Sequence, residues 1–281
     1  MGRVRRRSRF LQTRCTRPPG ARQTIARHPP LISARLALPR SRSSVPAMTH
    51  WTLVTGANRG LGLELVRQLL ADGARVVATC RRPGRAQALN ALAAEYPGHL
   101  KVLPLDVGDA ASREELAREW PLAAGREARI GLLVNNAGVL HGGERFGALT
   151  EEILDDSLRT NVVGPLLLTQ ALAPLLADGA CVANLSSQLG SIAGTTRFGT
   201  PSYAISKAAL NMATVQLAHA LRERGIVVVA LHPGWVRTDM GGAQATETAE
   251  ESVAGLRRVI ASLGAADSGR FLDWTGASLP W

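Results

Sequence analysis

From Trp51 onward, short runs of apolar residues alternate with longer stretches whose apolar positions recur every three or four residues. The short runs predict strands and the longer stretches predict helices. The predicted strands are residues 52–55, 75–79, 101–105, 130–134, 181–185, 226–231 and 270–272. The predicted helices lie near residues 60–71, 84–95, 109–120, 151–177, 201–224 and 248–263. Gly73, Gly179 and Gly225 stand where a helix is expected to end before the next strand.

The predicted strands are apolar along their whole length, and helices separate them. This pattern is typical of a parallel sheet that is covered by helices on both faces. No repeat and no internal linker interrupts it. We therefore predict a single doubly wound α/β domain over residues 48–281, with a seven-stranded, mainly parallel sheet.

The positive charge of the chain is concentrated before this domain. The formal net charge is +11, but residues 1–47 alone contain twelve arginines and no lysine, aspartate or glutamate. Residues 48–281 hold 21 basic and 22 acidic side chains, so the predicted domain is nearly neutral. A nearly neutral domain lacks the basic footprint of a nucleic-acid-binding protein.

The Arg-rich leader of residues 1–47 has no amphipathic period and little to bury, which predicts disorder. Three interpretations of it stay open. Its Arg and Ser content without acidic residues is that of an organelle transit peptide. It is also compatible with a basic nucleic-acid tail. The third interpretation, which we favour, is upstream sequence read from an early start codon, with Met48 as the true start.

Three other classes of protein receive no support from the composition. The longest apolar candidate, residues 165–185, is interrupted by Gln170, Pro174 and Asp178, so no membrane span is predicted. Three cysteines without CxxC spacing indicate a reducing compartment, and we expect a cytoplasmic protein unless the leader directs import. The six histidines form no metal-ligand spacing, so no metal is expected.

A glycine-rich turn joins the first predicted strand to the first predicted helix. It reads Thr55-Gly56-Ala57-Asn58-Arg59-Gly60-Leu61-Gly62. Glycines there let the turn close tightly, bring the backbone near a pyrophosphate and let the helix pack on the strand. The unpaired N–H groups at the helix N-terminus then favour an anion. The turn predicts a dinucleotide site.

A tyrosine and a lysine lie four residues apart in the helix predicted over 201–224. Tyr203 is one of only two tyrosines in the chain, and Lys207 is one of only two lysines. The i,i+4 spacing places a phenol and an ammonium on one helix face. A nearby cation favours phenolate, so we expect a lowered pKa for Tyr203. Tyr203 would then donate and accept protons near neutral pH.

Further motifs follow in a characteristic order: Asn135-Asn136-Ala137-Gly138, Asn161, Ser186-Ser187, Tyr203 with Lys207, and His232-Pro233-Gly234-Trp235-Val236-Arg237-Thr238-Asp239-Met240. With the Gly-xxx-Gly-x-Gly turn, they make essentially all of residues 50–281 resemble the short-chain dehydrogenases/reductases, which have a Rossmann fold. Within that family, the runs at 185–192, 206–212 and 279–281 look most like the C-factor and sniffer-type carbonyl reductases.

The resemblance implies four catalytic residues. Tyr203 would protonate the substrate oxygen, and Lys207 would lower the pKa of Tyr203 and hold the nicotinamide ribose. Ser187 would donate a hydrogen bond to the substrate carbonyl, and Asn161 would hold a water that connects Lys207 to solvent. Nearby hydroxyls that could take the role of Ser187 belong to Ser186, Ser202 and Ser206. Fifteen residues separate Ser187 from Tyr203, more than is usual, so we expect a loop at 194–199 over the substrate.

The resemblance also implies a nicotinamide cofactor. An NAD site places an acidic residue at the end of the second strand, whereas this strand ends in Arg81 and Arg82. Arg59 adds a cation, so we expect NADP(H) rather than NAD(H). Asp106 and Val107 resemble the family's pair that contacts adenine. A carboxylate after a strand could equally cap the next helix, but Asp109 is the better candidate for that cap. The cofactor-binding residues implied are Gly56, Asn58, Arg59, Gly60, Leu61, Gly62, Arg81, Asp106, Val107, Asn135, Ala137, Gly138, Tyr203, Lys207, Pro233, Gly234, Val236 and Thr238.

We therefore expect an NADPH-dependent reductase of a small, hydrophobic ketone or aldehyde, with no nucleic-acid or membrane partner. Plausible pocket residues are His141, Gln188, Leu189, Phe198, Trp235 and Met240. A homodimer or homotetramer follows from family habit alone. The alternative is a non-catalytic NADP(H)-binding sensor or signalling protein, since this fold also serves as a scaffold for regulators.

Overall fold

Seven strands form one sheet in the computed structural model, which describes residues 50–281. The prediction for the leader at 1–47 lies outside these residues. The strands are β1 (His50–Val54), β2 (Arg75–Cys80), β3 (Leu100–Pro104), β4 (Arg129–Asn135), β5 (Leu176–Leu185), β6 (Val227–His232) and β7 (Phe271–Asp273). Their order in the sheet is β3-β2-β1-β4-β5-β6-β7, and all six pairings are parallel. The predicted doubly wound Rossmann domain is confirmed.

Helices cover both faces of this sheet. They are α1 (Gly60–Ala71), α2 (Gln87–Glu95), α3 (Ala110–Ala124), α4 (Glu151–Leu158), α5 (Gly164–Leu172), α6 (Pro201–Ala220) and α7 (Ala249–Ser262). Successive strand residues point to opposite faces, so Leu53 and Val54 enter different cores. One core packs α1, α2 and α7 on the sheet, and the other packs α3, α5 and α6. None of these helices is long and apolar enough to cross a membrane.

The strand order reverses at β1, because β2 and β4 lie on its two sides. In a sheet of this kind, ligands bind in the crevice beyond the carboxyl ends of the strands at that reversal. The loops after β1, β2 and β4 therefore carry the residues from which a site would be built.

The helix predicted over 151–177 is interrupted in the structure. A π-helical turn, Arg159–Val163, separates α4 from α5, and a 3₁₀ turn, Ala173–Leu175, follows α5. Pro165 has no N–H to donate to the carbonyl of Asn161, so regular α-helical bonding fails at this point. Single π turns are frequent at functional sites.

The prediction that Gly179 ends a helix is wrong. β5 already begins at Leu176, and Gly179 lies within it at a φ of 74°. The pairing of β5 with β4 shifts register between Leu176 and Cys181, so the strand bulges there. Gly73 and Gly225 do follow helical segments at positive φ, as predicted. Asp109 caps α3, with its carboxylate accepting from the Ser112 N–H at 2.9 Å.

Candidate active site

A cavity of about 1060 Å³ lies beyond the carboxyl ends of the central strands. The predicted site residues that line it are Gly56, Asn58, Arg59, Gly60, Leu61, Arg81, Asp106, Val107, Ala137, Gly138, Tyr203, Lys207, Pro233 and Thr238. The predicted residues that lie off its wall are Gly62, Asn135, Asn161, Ser187, Gly234 and Val236. Predicted residues as far apart in the chain as Gly56 and Thr238 thus meet at one crevice.

The glycine turn has backbone conformations and contacts that demand glycine. Gly56 and Gly60 have φ values of 62° and 55°, in the left-handed region. Packing leaves no room for a side chain at position 62, since a Cβ on Gly62 would lie 2.5 Å from Asn136 Nδ2. No side chain caps the N-terminus of α1, so its first N–H groups are free to bind an anion.

Asn136 holds this turn in place, a role that sequence reasoning missed. Its Nδ2 donates to the carbonyls of Thr55 at 2.7 Å and Gly56 at 3.0 Å. Thr55 Oγ1 in turn accepts from the N–H groups of Asn136 and Ala137, both at 3.0 Å. The signal available in the sequence was the second Asn of the Asn-Asn-Ala-Gly motif.

Asn135 does not reach the cavity, contrary to its place in the predicted cofactor set. Its Nδ2 donates to Asn184 Oδ1 at 2.8 Å and to Thr169 Oγ1 at 3.2 Å. Asn135 ends β4, and successive strand side chains point to opposite faces, so its amide joins β4 to β5 and α5 beneath the site.

Tyr203 and Lys207 lie on adjacent turns of α6 and are both buried. The Lys207 ammonium is 5.4 Å from the centre of the Tyr203 ring. Lys207 Nζ also donates to the Leu185 carbonyl at 2.8 Å, at the end of β5. The predicted juxtaposition of phenol and ammonium is therefore present at the cavity wall.

The prediction of a lowered pKa for Tyr203 is wrong. Burial raises the pKa of Tyr203 to about 12, and a hydrogen bond with Ser187 acts in the opposite direction. Burial also lowers the pKa of Lys207 to about 8. Removing both groups from water disfavours their charged forms. At neutral pH Tyr203 is a phenol, and Lys207 remains mostly an ammonium.

Ser187 is the one of the four candidate serines whose hydroxyl lies within hydrogen-bonding reach of the Tyr203 phenol, and its Oγ also accepts from the Leu189 N–H at 3.2 Å. The other three hydroxyls have partners elsewhere: Ser186 Oγ donates to Asn211, Ser202 Oγ accepts from Ser157, and Ser206 Oγ donates to the main-chain carbonyl of Tyr203. This difference favours Ser187 for the serine role.

Asn161 lies in the π-helical turn and is fully buried. Its Nδ2 donates to the Val139 carbonyl and to Ser206 Oγ, both at 2.9 Å, and its Oδ1 accepts from the Val139 N–H at 2.8 Å. Both amide hydrogens are therefore in use. Because Pro165 cannot donate to the main-chain carbonyl of Asn161, that oxygen lacks its regular helical donor and can accept from a water.

One end of the cavity carries four arginines. Arg59 and Arg81 belong to the predicted site, and Arg82 and Arg85 join them on the wall. Arg59 Nη1 lies 2.7 Å from the Asp239 carboxylate, which comes from the segment after β6. Sequence reasoning assigned no role to Asp239, although it lies within the Pro-Gly motif.

Several large apolar side chains are exposed at the surface. Phe146 and Phe198 make an edge-to-face contact with ring centres 6.0 Å apart. Leu189, Trp235 and Met240 are also exposed, and Met240 lines the cavity. His141 instead pairs with Asp156, with Nε2 2.9 Å from Oδ2, so it is not a free pocket side chain.

The family described as short chain dehydrogenase matches residues 50–249 of this chain. The chain belongs to this family. It is thus an NAD(P)H-dependent oxidoreductase of the short-chain dehydrogenase/reductase type, as predicted. The cradle of glycines, the free N-terminus of α1 and the arginine cluster fit a dinucleotide.

Relatives within the family agree with the narrower resemblance. The chain is 46% identical over 157 residues to the C-signal protein of Myxococcus xanthus, and the match covers 54% of this chain and 93% of that protein. The NADPH-bound carbonyl reductase from chicken fatty liver is 41% identical, with a TM-score of 0.78, covering 82% of this chain and 98% of that one. The carbonyl reductase Sniffer of D. melanogaster is 35% identical, with a TM-score of 0.79, covering 82% and 99%.

Proposed function

We propose that this short-chain dehydrogenase reduces a small, hydrophobic ketone or aldehyde with NADPH, and that Tyr203 donates the proton. The observation that carries the proposal is the arrangement around Tyr203. A buried phenol lies beside a buried ammonium and within hydrogen-bonding reach of a serine hydroxyl. These groups can polarise a carbonyl and protonate its oxygen when a hydride is transferred to its carbon.

Each of the four catalytic side chains has a separate task. Ser187 donates to the carbonyl oxygen and so stabilises the negative charge that develops on it. Tyr203 then transfers its phenolic proton to the same oxygen. The Lys207 ammonium, fixed by the Leu185 carbonyl, stabilises the phenolate that remains. A water on the Asn161 carbonyl would connect Lys207 to solvent and let the proton be replaced.

Bound NADPH supplies the hydride. The glycine turn and the N-terminus of α1 would hold its pyrophosphate, Asp106 and Val107 its adenine, and Pro233 to Thr238 its nicotinamide end. The arginine cluster supports NADPH over NADH, because β2 ends at Cys80 and is followed by Arg81, with no acidic residue there to bind the ribose hydroxyls. Arginine binds a phosphate through charge-assisted, bidentate hydrogen bonds.

The surroundings of the site support an apolar substrate. Two exposed apolar side chains adjoin the site: Met240 lines the cavity, and Leu189 follows Ser187 by two residues and bonds to its hydroxyl through its N–H. Binding pockets are mostly apolar, with a few polar groups that fix orientation. A cytoplasmic location and a homodimeric or homotetrameric assembly stay predictions from the sequence.

The alternative, a non-catalytic NADP(H) sensor, requires the same cofactor cavity but no proton donor. The presence of Asn161, Ser187, Tyr203 and Lys207 together favours the enzyme.

The test is a panel of carbonyl compounds assayed with NADPH and with NADH. We expect benzaldehyde and acetophenone to be reduced faster than the charged pyruvate, and NADPH to be the better donor. Tyr203→Phe should lose at least about 100-fold in kcat, within the range of general acid catalysis. Tyr96→Phe, which removes the other phenol of the chain far from the cavity, is the matched control.

Two outcomes would contradict the proposal. Undiminished turnover by Tyr203→Phe would remove Tyr203 from the mechanism. Tight NADPH binding without turnover of any carbonyl would favour the sensor.

A further inference from the structure

The segment that carries Ser187 is fastened to helix α6 on both sides of that serine. Ser186 Oγ donates to Asn211 Oδ1 at 2.6 Å. Asn211 Nδ2 donates to the Gly190 carbonyl at 3.3 Å. One amide side chain therefore bonds to the residue before Ser187 and to the end of the 3₁₀ turn that Ser187 begins.

The contact between this turn and the helix is close-packed. A Cβ on Gly190 would lie 2.7 Å from the carbonyl carbon of Lys207, so the turn rests on the helix backbone. Asn211 itself is only 3% exposed. Because water cannot readily replace a partner there, loss of either hydrogen bond would leave a buried polar group unsatisfied or would shift the turn.

We propose that Asn211 is a positioning residue that sets the location of the Ser187 hydroxyl relative to Tyr203. The proposal rests on the proposed carbonyl reduction. Asn211 makes no contact with the cavity; it acts through the segment 186–190. Tyr203, Lys207 and Asn211 share one helix, so a turn fastened to Asn211 keeps Ser187 in register with the proton donor. Misplacement of a catalytic group by about 1 Å can cost about 100-fold in rate.

The experiment compares Asn211→Leu and Asn211→Ala with Thr214→Val in the full chain. Thr214 lies one turn further along α6, is equally buried, and accepts from Asn184 Nδ2 at 2.9 Å. Its replacement breaks a buried hydrogen bond of the same helix without touching the Ser187 segment. Benzaldehyde and NADPH are the substrates, and thermal melting confirms that each variant is folded.

We expect kcat to fall by about 10- to 100-fold in both Asn211 variants, with KM for NADPH within about twofold of the wild type. Thr214→Val should keep kcat within about threefold. Either Asn211 variant suffices if the other does not fold, since both remove the amide and they differ in whether the side chain fills the space. Equal losses of kcat in the Asn211 and Thr214 variants would overturn the proposal.

A double variant separates positioning from general destabilisation. If Asn211 acts through Ser187, adding Asn211→Leu to Ser187→Ala should lower kcat by less than about twofold beyond Ser187→Ala alone. If the losses of kcat from Asn211→Leu and Ser187→Ala multiply in the double variant, the proposal for Asn211 is overturned and the proposed function stands. A wild-type protein that binds NADPH but reduces no carbonyl would instead overturn the proposed function and this inference together.

Discussion

Arg59 Nη1 and Asp239 Oδ2 lie 2.7 Å apart and join the glycine turn to the segment after β6. Both residues line the proposed cofactor cavity. The arginine that would bind the cofactor's 2′-phosphate therefore already has a carboxylate partner in the free protein. A bound phosphate must take the place of that carboxylate or share the arginine with it.

Asp239→Asn should tighten NADPH binding. It removes the competing carboxylate and a negative charge beside the phosphate site. An exposed ion pair contributes only about 0.2–1 kcal/mol, so the expected gain in affinity is about 1.5- to 5-fold. Titration of NADPH fluorescence at low and high salt measures it, and the gain should shrink at high salt. Asp178→Asn, which breaks an exposed pair with Arg224 elsewhere, is the control. Weaker binding by Asp239→Asn would show that Asp239 holds Arg59 in its binding position.

Carbonyl reduction should slow as the pH rises above about 8. Tyr203 must carry its proton to donate it, and Lys207 must carry its proton to stabilise the phenolate. The pKa of Tyr203 is about 12 and that of Lys207 about 8, so Lys207 loses its proton first as the pH rises. A profile of kcat/KM from pH 6 to pH 10 tests this. Lys207→Arg should be slower at every pH but free of the decline near pH 8, because a guanidinium does not deprotonate in this range. A decline that persists in Lys207→Arg would assign it to another group.

Lys207→Met should stabilise the fold at neutral pH. Burial lowers the pKa of Lys207 from 10.5 to about 8, a difference worth on the order of 3 kcal/mol when the group is charged. Loss of the hydrogen bond to the Leu185 carbonyl offsets part of this, so we expect a gain of about 1–2 kcal/mol in the free energy of unfolding.

The gain in stability should depend on pH, and its direction of change follows from proton binding at position 207. Between pH 8 and 10.5 the unfolded chain binds more protons at position 207 than the folded protein does, so the wild type gains stability as pH rises. The advantage of Lys207→Met is therefore complete below pH 8 and should shrink towards pH 10.5. Urea unfolding of both proteins at pH 7 and pH 10 measures it, and an advantage that is the same at both would exclude the charge of Lys207 as its cause.

Gly62→Ala should abolish NADPH binding. A Cβ at this position would lie 2.5 Å from Asn136 Nδ2 and 2.6 Å from the Gly56 carbonyl, so α1 or the glycine turn must shift. Overpacking of this kind costs about 1–3 kcal/mol in stability as well. Gly84→Ala, where a Cβ would meet nothing within 4 Å, should leave both binding and stability unchanged. Isothermal titration with NADPH and thermal melting compare the two variants; normal binding by Gly62→Ala would contradict the assigned role of the turn.

Sequence alone determined the fold and about half of the residues that line the cavity. Uniformly apolar strands separated by helices specify a parallel sheet, because such strands must be buried on both faces. The glycine turn follows from local chemistry, since close approach and positive φ demand glycine wherever the chain folds this way. Tyr203 and Lys207 could be paired from their spacing, because i and i+4 residues lie on one face of any helix.

Tertiary structure decided what depends on burial and on contacts between distant segments. Spacing suggested a lowered pKa for Tyr203, but only the folded chain shows that the phenol is buried and that its burial raises this pKa. The helix is interrupted at Asn161, and Pro165 cannot donate the N–H that a regular α-helix would direct to the Asn161 carbonyl. The Arg59–Asp239 pair and the Ser186–Asn211 hydrogen bond join residues 180 and 25 positions apart. No local sequence pattern encodes such contacts, because the packing of the whole domain sets the direction and the dielectric environment of each side chain.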